Sequence, residues 1–164
     1  MSGMIRTTAF ALMTVAALGA CAKKQPLPDN SGQLGIGAGA ATPGSQQDFT
    51  VNVGDRVFFS VDSSTVSAEG RQTLDKQAAW LQRYPNYAIT IEGHADERGT
   101  REYNIALGAR RAAATRDYLS SRGVPRARIK TISYGKERPV AVGSDLASLN
   151  QNRRAVTVLG GQGS

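Results

Sequence analysis

Cysteine occurs once in this chain, at Cys21, and histidine once, at His94. A single cysteine excludes an internal disulfide and a thiolate metal cluster. A single histidine leaves any zinc site short: Asp96 could join it, but no third ligand stands at a suitable spacing. No metal and no cofactor is therefore expected. Aromatic residues make up 6% of the chain and are not interleaved with the basic ones, so the net charge of +7 does not read as a nucleic-acid interface. It reads as a solvated basic face, or as attraction to another anionic polymer. No apolar run reaches the roughly 20 residues that cross a bilayer as a helix. Also missing are a nucleophile with its base, a working carboxylate pair and an open metal site, because Asp96 and Glu97 adjoin a basic loop that keeps both ionised. A non-catalytic protein is expected. A length of 164 residues suits one domain with a core, plus appendages.

One of those appendages is N-terminal. Arg6 precedes an uncharged run from Thr7 to Ala20, made apolar by Phe10, Leu12, Met13, Val15 and Leu18. That length fits a signal peptide, expected over residues 1–20. The run ends Leu18-Gly19-Ala20-Cys21, which resembles the lipobox of bacterial lipoproteins: an aliphatic residue, two small ones, then cysteine. The resemblance implies that Cys21 becomes the first mature residue. It would carry a diacylglyceryl thioether and an acyl chain on its amino group, and several chains together hold a protein on a bilayer. No aspartate follows Cys21, which favours the outer membrane, facing the periplasm.

Residues 21–49 read as a flexible linker, with Pro26, Pro28, Pro43 and a glycine-rich centre from Gly35 to Ala41. Gly35, Gly37 and Gly39 do not follow a strand or open a βαβ unit, so they make no nucleotide loop.

The globular domain is expected over residues 50–160. Arg56 to Val61 is rich in β-branched and aromatic residues and predicts a strand. Ser67 is placed to cap a helix carrying Leu74, Ala78 and Leu81, which Pro85 ends. Tyr87 to Gly93 alternates as a second strand. Thr100 caps a long helix on which Tyr103, Leu107, Ala114 and Tyr118 share a face, and Gly123 and Pro125 stop it. Arg128–Tyr134 and Arg154–Leu159 are further strands, and Gly160 to Ser164 is expected to fray as a disordered tail at 161–164. The order is β-α-β-α-β, a short helix or loop, then β. It defines an α/β two-layer sandwich with a small mixed sheet.

The most informative stretch is His94-Ala95-Asp96-Glu97-Arg98-Gly99-Thr100, then Asn104 and Leu107-Gly108-Ala109-Arg110-Arg111-Ala112. It sets an acid, Asp96, in a strand-to-helix loop and a base, Arg111, on the following helix. One fixed anion and one fixed cation on one cleft suit a zwitterion. These residues, with Tyr134-Gly135-Lys136-Glu137-Arg138-Pro139 and Asn152-Arg153-Arg154-Ala155-Val156, resemble the OmpA-like peptidoglycan-binding domain family. The lipobox and linker fit its lipid-anchored members rather than those with a membrane barrel.

That resemblance implies an OmpA-like β-α-β-α-β-β fold and a function: tethering the outer membrane to peptidoglycan. The ligand would be the stem peptide, gripped at its meso-diaminopimelate. Asp96 would take the free ammonium and Arg111 the carboxylate, with Leu107 as an apolar wall. Arg98 would either reach the stem peptide's carboxylates or pair with Glu97 or Glu102. Val61 and Asp62 would form the rim, although Ser60 stands where the family often has Asp or Gly. His94 would orient the loop through a hydrogen bond, and Asn152, Arg153 and Arg154 would brace the sheet. A protein partner is implied too: the propeller protein TolB of the Tol system, which draws in the outer membrane at division.

Overall fold

The computed structural model describes residues 41–162. The expectations for the signal peptide, for Cys21, for the linker as far as residue 40 and for residues 163–164 of the tail lie outside them. Among the described residues four α-helices and four strands follow in the order α1 (Gln46–Asp48), β1 (Arg56–Phe58), α2 (Ala68–Arg83), β2 (Tyr87–His94), α3 (Arg101–Ser121), β3 (Ile129–Gly135), α4 (Leu146–Asn152) and β4 (Arg154–Gln162). The strands form one mixed sheet in the order β1-β4-β2-β3. β2 and β3 run parallel, and β4 is antiparallel to both β1 and β2. The α/β sandwich with a small mixed sheet is the fold the sequence predicts.

Local chemistry explains the element ends. Ser67 accepts from Gly70 N at 3.0 Å and Thr100 from Tyr103 N at 3.2 Å, so both expected N-caps form. Asp145 caps α4 through the amides of Ala147 and Ser148. At the far end of α3, Gly123 turns the chain at φ +92°, a conformation that favours glycine. Leu74, Ala78 and Leu81 of α2 join Val57, Ile89, Ile91, Ile129, Ala155 and Leu159 of the sheet in one core.

Four expectations shift. The domain begins earlier than residue 50. Ser45 caps α1, Asp48 accepts from the Trp80 indole at 2.8 Å, and Phe49 is fully buried against Trp80. β1 stops at Phe58 instead of Val61, because the chain turns there: Ser63 N bonds Ser60 O, and Asp62 takes φ +52°. The buried face of α3 runs through Asn104, Leu107, Gly108, Arg111, Ala112, Thr115 and Leu119. Tyr103 is exposed and Tyr118 only half-buried, so the apolar spacing misses a face in which Asn104, Arg111 and Thr115 are buried among Leu107, Ala112 and Leu119. Finally, β4 continues to Gln162, so Gly160 to Gln162 are paired strand, not a frayed end.

One contact positions the site. A Cβ on Gly93 would lie 1.9 Å from Gly108 O, and one on Gly108 would lie 2.4 Å from the Ser133 hydroxyl. The absence of side chains at both residues lets α3 press directly onto β2. Ser133 ties the same crossing by donating to Ile105 O at 2.7 Å.

Candidate functional site

Beyond that crossing, β2 gives way to the loop 95–100, which lies against the first turns of α3. Asn104 is buried and donates to Arg98 O at 2.7 Å and Thr100 O at 3.1 Å. Lys136 donates to Glu97 O and Gly99 O from the other side. So held, the loop forms one wall of a cavity of about 380 Å³. Val61, Asp62, Asp96, Arg98, Leu107 and Arg111, the six candidates from the sequence, all line it. Gly99, Tyr103, Asn104 and Arg153 complete the lining.

Asp96 is 7% exposed. Its Oδ2 accepts from Arg98 Nη2 at 2.5 Å and from Arg153 Nη1 at 3.1 Å. Its Oδ1 accepts from the Arg98 amide and Nε, both at 3.2 Å. Burial by itself would raise the pKa of this carboxyl. The hydrogen bonds from Arg98 and Arg153 outweigh that and hold it below the ordinary carboxylate value. Of the pairings open to Arg98, the structure takes neither Glu97 nor Glu102 but Asp96, with the Arg98 side chain about half exposed.

Arg111 is fully buried. Its Nε donates to Ser63 O at 2.8 Å, Nη1 to His94 O at 2.8 Å and Nη2 to Ser60 O at 3.1 Å, and its Cζ lies 5.2 Å from the Phe59 ring centroid. The free fork pictured from the sequence is therefore partly engaged. A buried guanidinium has to satisfy its donors, and three carbonyls use three of the five N–H groups such a side chain has. Burial, then the charge of Arg153, lowers its pKa to about 10, so it stays cationic at neutral pH.

Asp62 accepts from the Tyr103 hydroxyl, which joins the β1–α2 turn to α3 across the cavity mouth. That bond raises the Tyr103 pKa. Val61 is exposed at the rim, and Leu107 is buried in the wall.

His94 does not act as expected. Neither ring nitrogen has a hydrogen-bond partner, and Nε2 lies 3.6 Å from Glu92 Oε2. Burial, then the charges of Arg154 and Arg138, push its pKa down to about 4, so the ring is neutral. It is the His94 backbone carbonyl, held by Arg111, that ties the loop.

Asn152 braces the loop at residues 140–141 through the Val140 and Ala141 amides and Ala141 O, and Arg154 donates to Arg138 O. Arg153 differs from both. Buried, it bonds Phe59 O, Asn150 and Asp96, and it lines the cavity. The sequence reading gave it only a bracing role, and it did not count Gly99, Tyr103 or Asn104 among the site residues. The signal was present: adjacent Arg153 and Arg154 at a strand entry must point to opposite sides, so one can face the cleft. Among the described residues no group of three His, Cys, Asp or Glu side chains could hold a metal ion. No described helix is long and apolar enough to cross a membrane.

This fold, carrying an acid–base cleft between loop 95–100 and α3, defines a class, and the OmpA family matches residues 58–153. A protein of Agrobacterium fabrum named peptidoglycan-associated lipoprotein is 67% identical over 99% of this chain and 93% of its own length. Another of that name, from Rhizobium meliloti, is 70% identical over 94% of this chain and 88% of its own. The crystal structure of the peptidoglycan-associated lipoprotein from Burkholderia pseudomallei is 42% identical, with a TM-score of 0.66, over 70% of this chain and 98% of that one. The C-terminal domain of Helicobacter pylori MotB, 22% identical with a TM-score of 0.61, shares the fold. Within the OmpA class, the chain belongs to the peptidoglycan-associated lipoprotein family.

Proposed function

We propose that this chain is a non-catalytic outer-membrane lipoprotein that tethers that membrane to peptidoglycan by holding the diaminopimelate end of a stem peptide. The observation that carries the reading is the cavity itself. A buried carboxylate, Asp96, stands opposite the buried cation Arg111, with apolar walls at Leu107 and Val61. The ligand's ammonium replaces the exposed guanidinium of Arg98 on Asp96. Its carboxylate meets the two N–H groups that Arg111 has left, and the released Arg98 reaches a second carboxylate. Leu107 and Val61 flank the methylene chain. Lysine lacks the terminal carboxylate and would leave those two N–H groups of Arg111 unmet, which disfavours it.

Residues 1–20 act as a signal peptide and Cys21 as the lipidated first residue, with the linker beyond it giving the domain reach below the membrane. Membership of the lipoprotein family supports this arrangement, as it does a partnership with TolB in the Tol–Pal system for envelope integrity and constriction at division. TolB would use the same surface in turn with peptidoglycan. The test is cosedimentation of the full chain with purified peptidoglycan. Asp96→Ala is expected to leave the protein in the supernatant, and TolB to release the native chain. Normal sedimentation of Asp96→Ala removes the site. Simultaneous, independent binding of TolB and peptidoglycan removes the shared surface.

A further inference from the structure

A second cavity, of about 420 Å³, adjoins the first and is lined by Phe58, Phe59, Ser60, Ser67, Asn150, Gln151 and Arg153. Arg153 lines both cavities. Its Nη1 holds Asp96 on one side and its Nη2 holds Asn150 on the other, so one buried guanidinium forms the partition. The chain itself also connects them: Phe58, Phe59 and Ser60 line the second cavity, and Val61 and Asp62 line the first.

Its chemistry differs from that of the first cavity. Acids are missing from the lining, and the single cation is already engaged by Phe59 O, Asp96 and Asn150. What remains is an aromatic floor with a hydroxyl and amide rim. Phe58, at the end of edge strand β1, is 49% exposed, so its ring is open to a ligand in the cavity that it lines. Ser60, Ser67, Asn150 and Gln151 are all exposed around it. An apolar ring face with neutral donors and acceptors at its edge suits a pyranose. The sugar's C–H face covers the ring while its hydroxyl and acetamido groups reach the rim.

We infer that this second cavity is a subsite for the amino sugar to which the stem peptide is attached. This rests on the reading of the first cavity as the diaminopimelate site. The spacing agrees. From Phe58 to Asp62 the chain spans at most roughly 14 Å. L-Ala, the γ-linked D-Glu and the diamino acid's own side chain separate the sugar's lactyl group from the gripped zwitterion, a reach of more than roughly 10 Å. A single muropeptide can thus lie along residues 58–62, with its charged end against Asp96 and its sugar over Phe58. The clamp then reads the junction of glycan and peptide, not the peptide tip alone.

The test is calorimetry on the full chain with two ligands. One is the free tripeptide L-Ala-γ-D-Glu-meso-diaminopimelate. The other is the same tripeptide on its N-acetylglucosaminyl-N-acetylmuramyl disaccharide. The disaccharide form is expected to bind about tenfold more tightly. Phe58→Ala should remove that gain and leave the free tripeptide unchanged, and Gln151→Ala should reduce the gain in the same selective way. Equal affinity of both ligands on the native chain overturns the subsite and leaves the clamp standing. Equal weakening of both by Phe58→Ala also overturns it, since the ring would then act on the first cavity through Phe59. A gain that survives Phe58→Ala places the sugar elsewhere. Binding of neither ligand overturns the clamp itself. Dimerisation that is lost in Phe58→Ala would assign the cavity to a second copy of the chain instead.

Discussion

Asp96 and Arg111 are both shut off from bulk water, but they are held in different ways. The side chains that hold Asp96 are both guanidinium groups, and one of them, the half-exposed Arg98, can be exchanged for another cation without breaking the fold. Arg111 bonds three backbone carbonyls and is a structural tie as well as a site cation. Asp96→Ala should therefore weaken stem-peptide binding about 100-fold, since truncating one member of a buried charge pair costs roughly 2–5 kcal/mol. Thermal stability should fall much less than with Arg111→Ala. That variant removes the Arg111 donors from the Ser60, Ser63 and His94 carbonyls, leaving Ser60 O with the Ser63 amide alone, and should lose about 3 kcal/mol or more in urea unfolding.

The pH dependence follows from the same contacts. The Asp96 pKa is depressed in the folded state, so its contribution is complete above the unfolded value and is lost as pH falls through the depressed one. Binding measured at pH 5 should match that at pH 7 and should decline only below the ordinary carboxylate value of 3.8. The identity of Asp96 was legible in the sequence because its motif is contiguous. The engagement of Arg111 was not, because Ser60 and Ser63 lie some fifty residues away and only the fold brings their carbonyls to it.

The elements that place these residues depend on what their sequence omits. α3 reaches β2 because neither Gly93 nor Gly108 carries a side chain at the crossing. Gly93→Ala should push α3 away from the sheet and cost about 3 kcal/mol. Urea unfolding would read that loss, and a fall in stem-peptide affinity would accompany it, because Leu107 and Arg111 flank Gly108. The existence of α3 and both its ends could be read from Thr100 and Gly123. Its buried face could not. Periodicity arguments count apolar residues, and Asn104, Arg111 and Thr115 are buried for their hydrogen bonds. The short β1 was hidden for a related reason. Phe59 and Val61 have strand-like side chains, but the turn at Asp62 claims that backbone.

For the molecule as a whole, the layer architecture followed from the order of strand and helix patterns, whereas the strand order β1-β4-β2-β3 did not. The last strand inserts between the first and second, and no local signal encodes that choice. The domain edge was also obscured. A proline- and glycine-rich segment ends at Ser45, and the three residues of α1 are too few to show a period. Yet Phe49 is core, and Asp48 binds Trp80 across 32 positions of sequence. A chain starting at Thr50 should be about 3 kcal/mol less stable in urea than one starting at Ala41, roughly the cost of losing one buried phenylalanine.

In the proposed function, the cavity between loop 95–100 and α3 selects a zwitterionic diamino acid. The most direct measurement is a calorimetric titration of the full chain with a tripeptide ending in meso-diaminopimelate, set against the same tripeptide ending in lysine. Saturable binding of the first is expected, with at least about 100-fold weaker binding of the second and loss of the first in Asp96→Ala. Equal affinity for the two peptides, or diaminopimelate binding that survives Asp96→Ala, would contradict it.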